Sequence, residues 1–226
     1  MGTHKHNMEK EDSNHIFDLA SEFPHVKFVI YEVVPDPPNT LQFRQNAYWH
    51  NIARIAGWRS LPCGTDWVLF IDSDEIPDAA LFTEWFASTK LDPNVAYNMA
   101  NYWYFREPTY QAKTFEDSVL LVHTSSLSFD RLMRDMERIG IVADHPTIGM
   151  VGSLRGKPMF HHYSWVRSKD DMKKKAATWG HKGEQDWDAL IEAEFSRGFN
   201  GTDFVHGYIY TRVPNFFGIT LETHEV

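Results

Sequence analysis

Asp72-Ser73-Asp74-Glu75 ends the apolar run Trp67-Val-Leu-Phe-Ile71 and stands just before Pro77. Two aspartates one residue apart can present oxygens to a hard divalent cation, Mg2+ or Mn2+. Three carboxylates so close together repel one another unless a cation or a basic partner offsets them. The competing reading is structural, since Asp and Ser at such a turn also cap a following helix. A second group of candidates is Phe160-His-His-Tyr-Ser-Trp-Val-Arg167, followed by Lys169, Lys173, Lys174, Lys175 and Trp179-Gly-His181. A neutral imidazole added to carboxylates shifts preference from Mg2+ toward Mn2+. Neighbouring histidines on a strand point to opposite faces, so at most one of His161 and His162 serves a given site. The lysines read either as a solvated helix face or as an anion-binding edge that holds a diphosphate against a metal.

The elements that must position these groups follow from periodicity. Trp67–Ile71 is too short for a helix and rich in strand formers, and it predicts a strand buried on both faces of a mostly parallel sheet. Ligands in open α/β sheets lie beyond the carboxyl ends of such strands, where the acidic turn falls. A short helix is expected from Ile16 to Phe23 and a strand from Val26 to Val34. Helices follow over Gln42–Gly57 and Ala79–Ser88. This alternation through the first 90 residues is the signature of βαβ units. Further on, Val95–Arg106 reads as a long aromatic strand, Ser118–Thr124 as another and Phe129–Ile139 as a helix. Met159–Trp165 is a short strand or a loop. Ser168-Lys-Asp-Asp171 resembles a capping box that opens a helix with Met172, Ala176 and Trp179 on one face. Asp186–Phe195 is a last helix.

With 226 residues, 42% hydrophobic and 23% charged, the chain can bury a full core. Residues 1–14 are polar and aperiodic and are expected to form a flexible arm, with one domain from 15 to 226. No apolar run reaches the roughly 18–20 residues of a membrane span, and none near the start has the form of an export signal. The single Cys63 suits a reducing compartment, so a cytoplasmic location is expected. Acidic side chains outnumber basic ones by 31 to 22, which argues against nucleic acid as a general partner.

Taken together, Trp67–Pro77, Asn101-Tyr-Trp-Tyr-Phe-Arg-Glu107, His161–Lys169 with Trp179-Gly-His181, and Asp203-Phe-Val-His-Gly-Tyr208 resemble the GT-A-fold nucleotide-sugar glycosyltransferases, especially the group close to the large family 2. The resemblance runs from about Ile16 onward. It implies a three-layer α/β sandwich with a mostly parallel central sheet, and a metal-dependent hexosyl- or pentosyltransferase that moves a sugar from a nucleotide-sugar donor to a hydroxyl acceptor on a glycan or glycoconjugate. It assigns Asp72 and Asp74 to a Mn2+ or Mg2+ ion on the donor diphosphate, with His162 or His181 completing the metal shell. Donor contacts fall to Arg44, Asn46, Asp72, Ser73, Trp103, Trp165 and Lys169, with Trp103, Tyr104 and Trp165 read either as a stacking wall for sugar rings or, for at least two of them, as core. An inverting enzyme also needs a carboxylate to deprotonate the acceptor; Glu107 and Glu116-Asp117 are the candidates, Asp117 foremost. The family opens with a strand that has no counterpart here, so a first strand is expected to be missing or replaced. A non-catalytic carbohydrate-binding or assembly module and a metal-dependent phosphoester hydrolase are the rival expectations.

Overall fold

The computed structural model describes residues 22–23, 26–29, 45–134, 136–178 and 182–221. The expected arm over 1–14 lies outside the described residues, as does nearly all of the helix expected from Ile16. Of the strand expected over Val26–Val34, residues 26–29 are described and form no strand.

The fold divides into two compact units, the part up to Val68 with His123–His145, and Leu69–Val122 with the part from Pro146 onward. The first carries helix α1, Gln45–Arg59, and two short helices, α3 (Phe129–Leu132) and α4 (Glu137–Ile141). The single helix expected over Phe129–Ile139 is thus broken near Met133. Fully buried Asn51 on α1 donates through Nδ2 to the Arg134 carbonyl at 2.8 Å, so the break gives the helix a hydrogen-bond anchor.

The second unit is built on a seven-stranded sheet with the path β1-β4-β3-β6-β2, where β1 is Trp67–Phe70, β2 Glu75–Pro77, β3 Ala96–Phe105, β4 Glu107–His123 and β6 Phe160–Trp165. Strand β5, Thr147–Val151, adds to β3, and β7, Tyr210–Arg212, adds to β4. The protein is α/β in the broad sense, but the expected mostly parallel sheet of a GT-A-like sandwich is wrong. Pairings β3–β4, β2–β6 and β4–β7 are antiparallel, whereas β3–β6 and β3–β5 are parallel. The physical reason sits at one residue. Arg106 adopts a left-handed φ of 62°, and Phe105 pairs with Glu107 directly across it. A connection that short can only return the chain antiparallel, because a parallel partner requires a crossover of a dozen residues or more. Nor is Trp67–Phe70 the doubly buried centre. It is the edge of the sheet, half-buried at all four positions, and Ile71 is exposed.

The centre is β3, buried at eight of its ten positions. Alternate side chains supply two cores. Trp103 and Phe105 join Trp165, Met172, Ala176, Trp187 and Ile191 beneath helices α5 (Lys169–Thr178) and α6 (Trp187–Phe195). Tyr104 joins Tyr163 and Val166, with Ile76, Val213, Ile219 and Leu221 packed against them. Each fully buried side chain such as Phe105, Met172 or Ile191 contributes about 1.5–3 kcal/mol. The helix ends follow the local signals. Ser168 accepts from the Asp171 N–H and donates to its carboxylate at 2.6 Å, Asp186 caps α6, and Asp78 caps α2, Ala79–Ser88.

Candidate functional site

The acidic turn is locked from within. The Glu75 N–H donates to the Asp72 carbonyl at 3.1 Å, and the Asp72 N–H donates back to Glu75 Oε2 at 2.7 Å. Glu75 is 3% exposed, and its other oxygen accepts from Ser118 Oγ, which in turn accepts from Asn101 Nδ2 at 2.8 Å. A buried carboxylate with this many donors is stable only because they replace its lost hydration. Glu75 therefore serves as the root of the turn, holding Asp72 exposed and Asp74 half-buried above it.

The antiparallel pairing of β2 with β6 sets Glu75 opposite His162. His162 Nε2 lies 3.6 Å from Asp74 Oδ1, and its Nδ1 lies 3.9 Å from Glu75 Oε1. Arg167 Nη2 is 3.9 Å from Asp74 Oδ2, and the Tyr163 N–H donates to the Asp74 carbonyl at 2.8 Å. For the Asp74 carboxyl, burial acts upward, but His162, Lys175 and Arg167 together outweigh it and hold the group down at about 2. Lys175 hydrogen-bonds Ser164 Oγ at 2.6 Å. Burial, then Arg167, push its ammonium down to about 8, against the opposing pull of Asp74 and Asp72. Asp72, Asp74, Arg167, Lys175 and His162 thus form one electrostatic cluster, two carboxylates facing two cations and an imidazole.

His161 points the other way. Its Nδ1 meets Tyr104 Oη at 2.7 Å, and Gln111 Nε2 donates to the same oxygen at 2.6 Å. Burial pushes His161 down to about 4, so it is neutral at pH 7 and packs as part of the hydrogen-bonded core.

The other expected residues are placed as follows. Ser73 is exposed at the tip of the turn. Trp103 and Trp165 are 5% and 1% exposed and pack in the core, so neither offers a ring face to a ligand. Lys169 pairs with Glu192 at 2.6 Å and Lys173 with Asp188 and Glu192, which ties α5 to α6. Lys174 pairs with Asp171. The lysine run therefore splits, with Lys175 alone directed at the acidic cluster. Asp117 Oδ2 accepts the Met150 N–H at 3.0 Å, and Glu107 accepts from Thr109 at 3.4 Å beside the β3–β4 turn. Asn46 lies on α1 in the first unit, and its side chain is outside the described residues, as are Arg44 and His181.

Two roles were not read from the sequence, although both residues stand in stretches it singled out. Glu75 appeared only as a third like charge, and nothing in its spacing reveals Ser118 and Asn101 behind it. Asp203 is the second. Its carboxylate is 3% exposed and accepts from the N–H groups of Val205, His206, Gly207 and Tyr208 and from the Tyr210 hydroxyl. It moulds the loop 203–208, with Gly207 at φ 73°. The signal that could have found it is the Asx-turn pattern of an Asp followed four residues later by Gly.

A divalent ion fits this chemistry in a restricted way. Among the described residues no group of three or more His, Cys, Asp and Glu side chains is arranged to hold one. Asp74 Oδ1 and His162 Nε2 are nonetheless close enough to share an ion, and Mg2+ or Mn2+ commonly takes one or two protein ligands and completes its shell with phosphate oxygens and water. No helix among the described residues is long and apolar enough to cross a membrane. No family model, curated protein or solved structure matches the chain.

Proposed function

We propose that this protein is a metal-dependent glycosyltransferase that moves a sugar from a nucleotide-sugar donor to a hydroxyl acceptor. The observation that carries the reading is the Asp74–His162 pair with Arg167 and Lys175 beside it. Asp74 and His162 would hold Mn2+ or Mg2+, and exposed Asp72 stands next to them. The ion supplies Lewis-acid neutralisation of the charge that grows on a departing diphosphate. Lys175 and Arg167 add fixed positive charge to the same place, where it is worth more than in bulk water. Glu75 orients the set, since its carboxylate faces His162 Nδ1 and fixes the backbone of Asp72. The sugar C1–O bond to the diphosphate breaks, a bond from the acceptor oxygen to C1 forms, and the acceptor proton passes to a carboxylate.

Titration calorimetry with UDP and with GDP, each with and without Mn2+, tests the reading. The native chain is expected to bind at least one of them in a Mn2+-dependent manner, and Asp74→Ala to lose that dependence. Native affinity in Asp74→Ala, or no Mn2+-dependent binding of either nucleotide, removes the proposal.

A further inference from the structure

Trp103 sits in the core beside an aromatic pair at the surface. The Trp103 ring lies 4.9 Å from His206 and 4.7 Å from His162, in a T-shaped arrangement with each. His206 is exposed and stacks on half-buried Tyr208, with centroids 4.9 Å apart and planes 20° from parallel. One buried indole therefore separates this pair from the Asp74–His162 pair. The loop that presents it is held by five hydrogen bonds to Asp203, so the rings are preorganised instead of being ordered on binding. The Glu116 carboxylate interacts with the Tyr208 phenol at the margin of the pair.

We propose that His206 and Tyr208 form a binding platform for a sugar ring of the acceptor, with Glu116 accepting hydrogen bonds from its hydroxyl groups. The assignment rests on the transferase reading for the identity of the occupant. A pyranose has an apolar C–H face that packs on an aromatic surface and a rim of hydroxyl donors that suit a carboxylate. Neutral charge matters too, because Glu116 and Asp203 on this side disfavour a phosphorylated ligand. A nucleoside could also stack, and the test separates the two.

Saturation-transfer NMR is run without metal or nucleotide, using the methyl glycosides of glucose, galactose, mannose and N-acetylglucosamine, with uridine and guanosine as controls. At least one glycoside is expected to receive magnetisation through its C–H face, and both nucleosides to receive none. His206→Ala and Tyr208→Ala should each weaken that glycoside about tenfold, the scale of one lost aromatic contact, while Tyr208→Phe retains most of the binding. A Tm of His206→Ala equal to native shows that folding is not the cause. Binding of no glycoside, binding undiminished in folded His206→Ala, or saturation of the nucleosides alone overturns the platform. These results stand apart from the calorimetry, because a chain that binds glycosides but no nucleotide keeps the platform and loses the transferase.

Discussion

Glu75 lies between two backbone and side-chain donors and the imidazole of His162, so its removal affects more than charge. Glu75→Ala deprives the half-buried Ser118 hydroxyl and the Asp72 N–H of their acceptor, and the expected loss is about 1–3 kcal/mol of stability by urea denaturation. Glu75→Gln keeps one oxygen acceptor and should lose less than half of that. His161 gives a prediction in pH. Its folded pKa of about 4 lies below the ordinary histidine value of about 6.5, so the unfolded chain binds more protons between those values. Stability from this group is therefore present above about 6.5 and is lost as pH falls toward 4. Thermal melts of the native chain should show this decline, and His161→Phe should flatten it; equal slopes in both would refute the assignment. At this scale the sequence was partly legible. Alternation along a strand separates His162 from His161 without any structure. Which tryptophans keep an exposed face was not legible, because that depends on what α5 and α6 cover, and Trp103 and Trp165 are both enclosed.

Among the elements, the helix boundaries α2, α5 and α6 follow the expected residues closely, because a cap is a contact between residues three apart and is written locally. Strand partners are not written locally. The alternation of the first 90 residues suggests parallel units, whereas Arg106 turns β3 straight back into β4. The same limit hides the candidate site, since Asp74 meets His162 only through the β2–β6 pairing. A tertiary fit of the same kind joins β4 to β5. A Cβ on Gly149 would lie 2.7 Å from Asp117 Oδ2, and that oxygen accepts the N–H of Met150, which has a φ of 53°. Gly149→Ala should destabilise by about 1–3 kcal/mol. In an Asp117→Ala background the same change should cost at least 1 kcal/mol less, by about the coupling of residues in contact. Additive effects in that cycle would show that the close approach carries no energy.

For the molecule as a whole, a formal charge of −9 opposes the approach of a nucleoside diphosphate, and Arg167 with Lys175 is a small local exception. Binding of UDP or GDP should therefore weaken at least tenfold when Mn2+ is withheld, and Lys175→Gln should weaken the Mn2+-supported complex further. Calorimetry at fixed ionic strength reads both effects, and Mn2+-independent affinity would contradict them. The loop at 203–208 has a wider consequence. Its course is dictated by one buried acid and one glycine, with Phe204 and Val205 as its anchors in the core. Position 206 serves that course through its backbone N–H, which any residue but proline supplies. Such a chain can exchange the residue it shows to the outside, and with it the guest it prefers, while the scaffold beneath stays as it is.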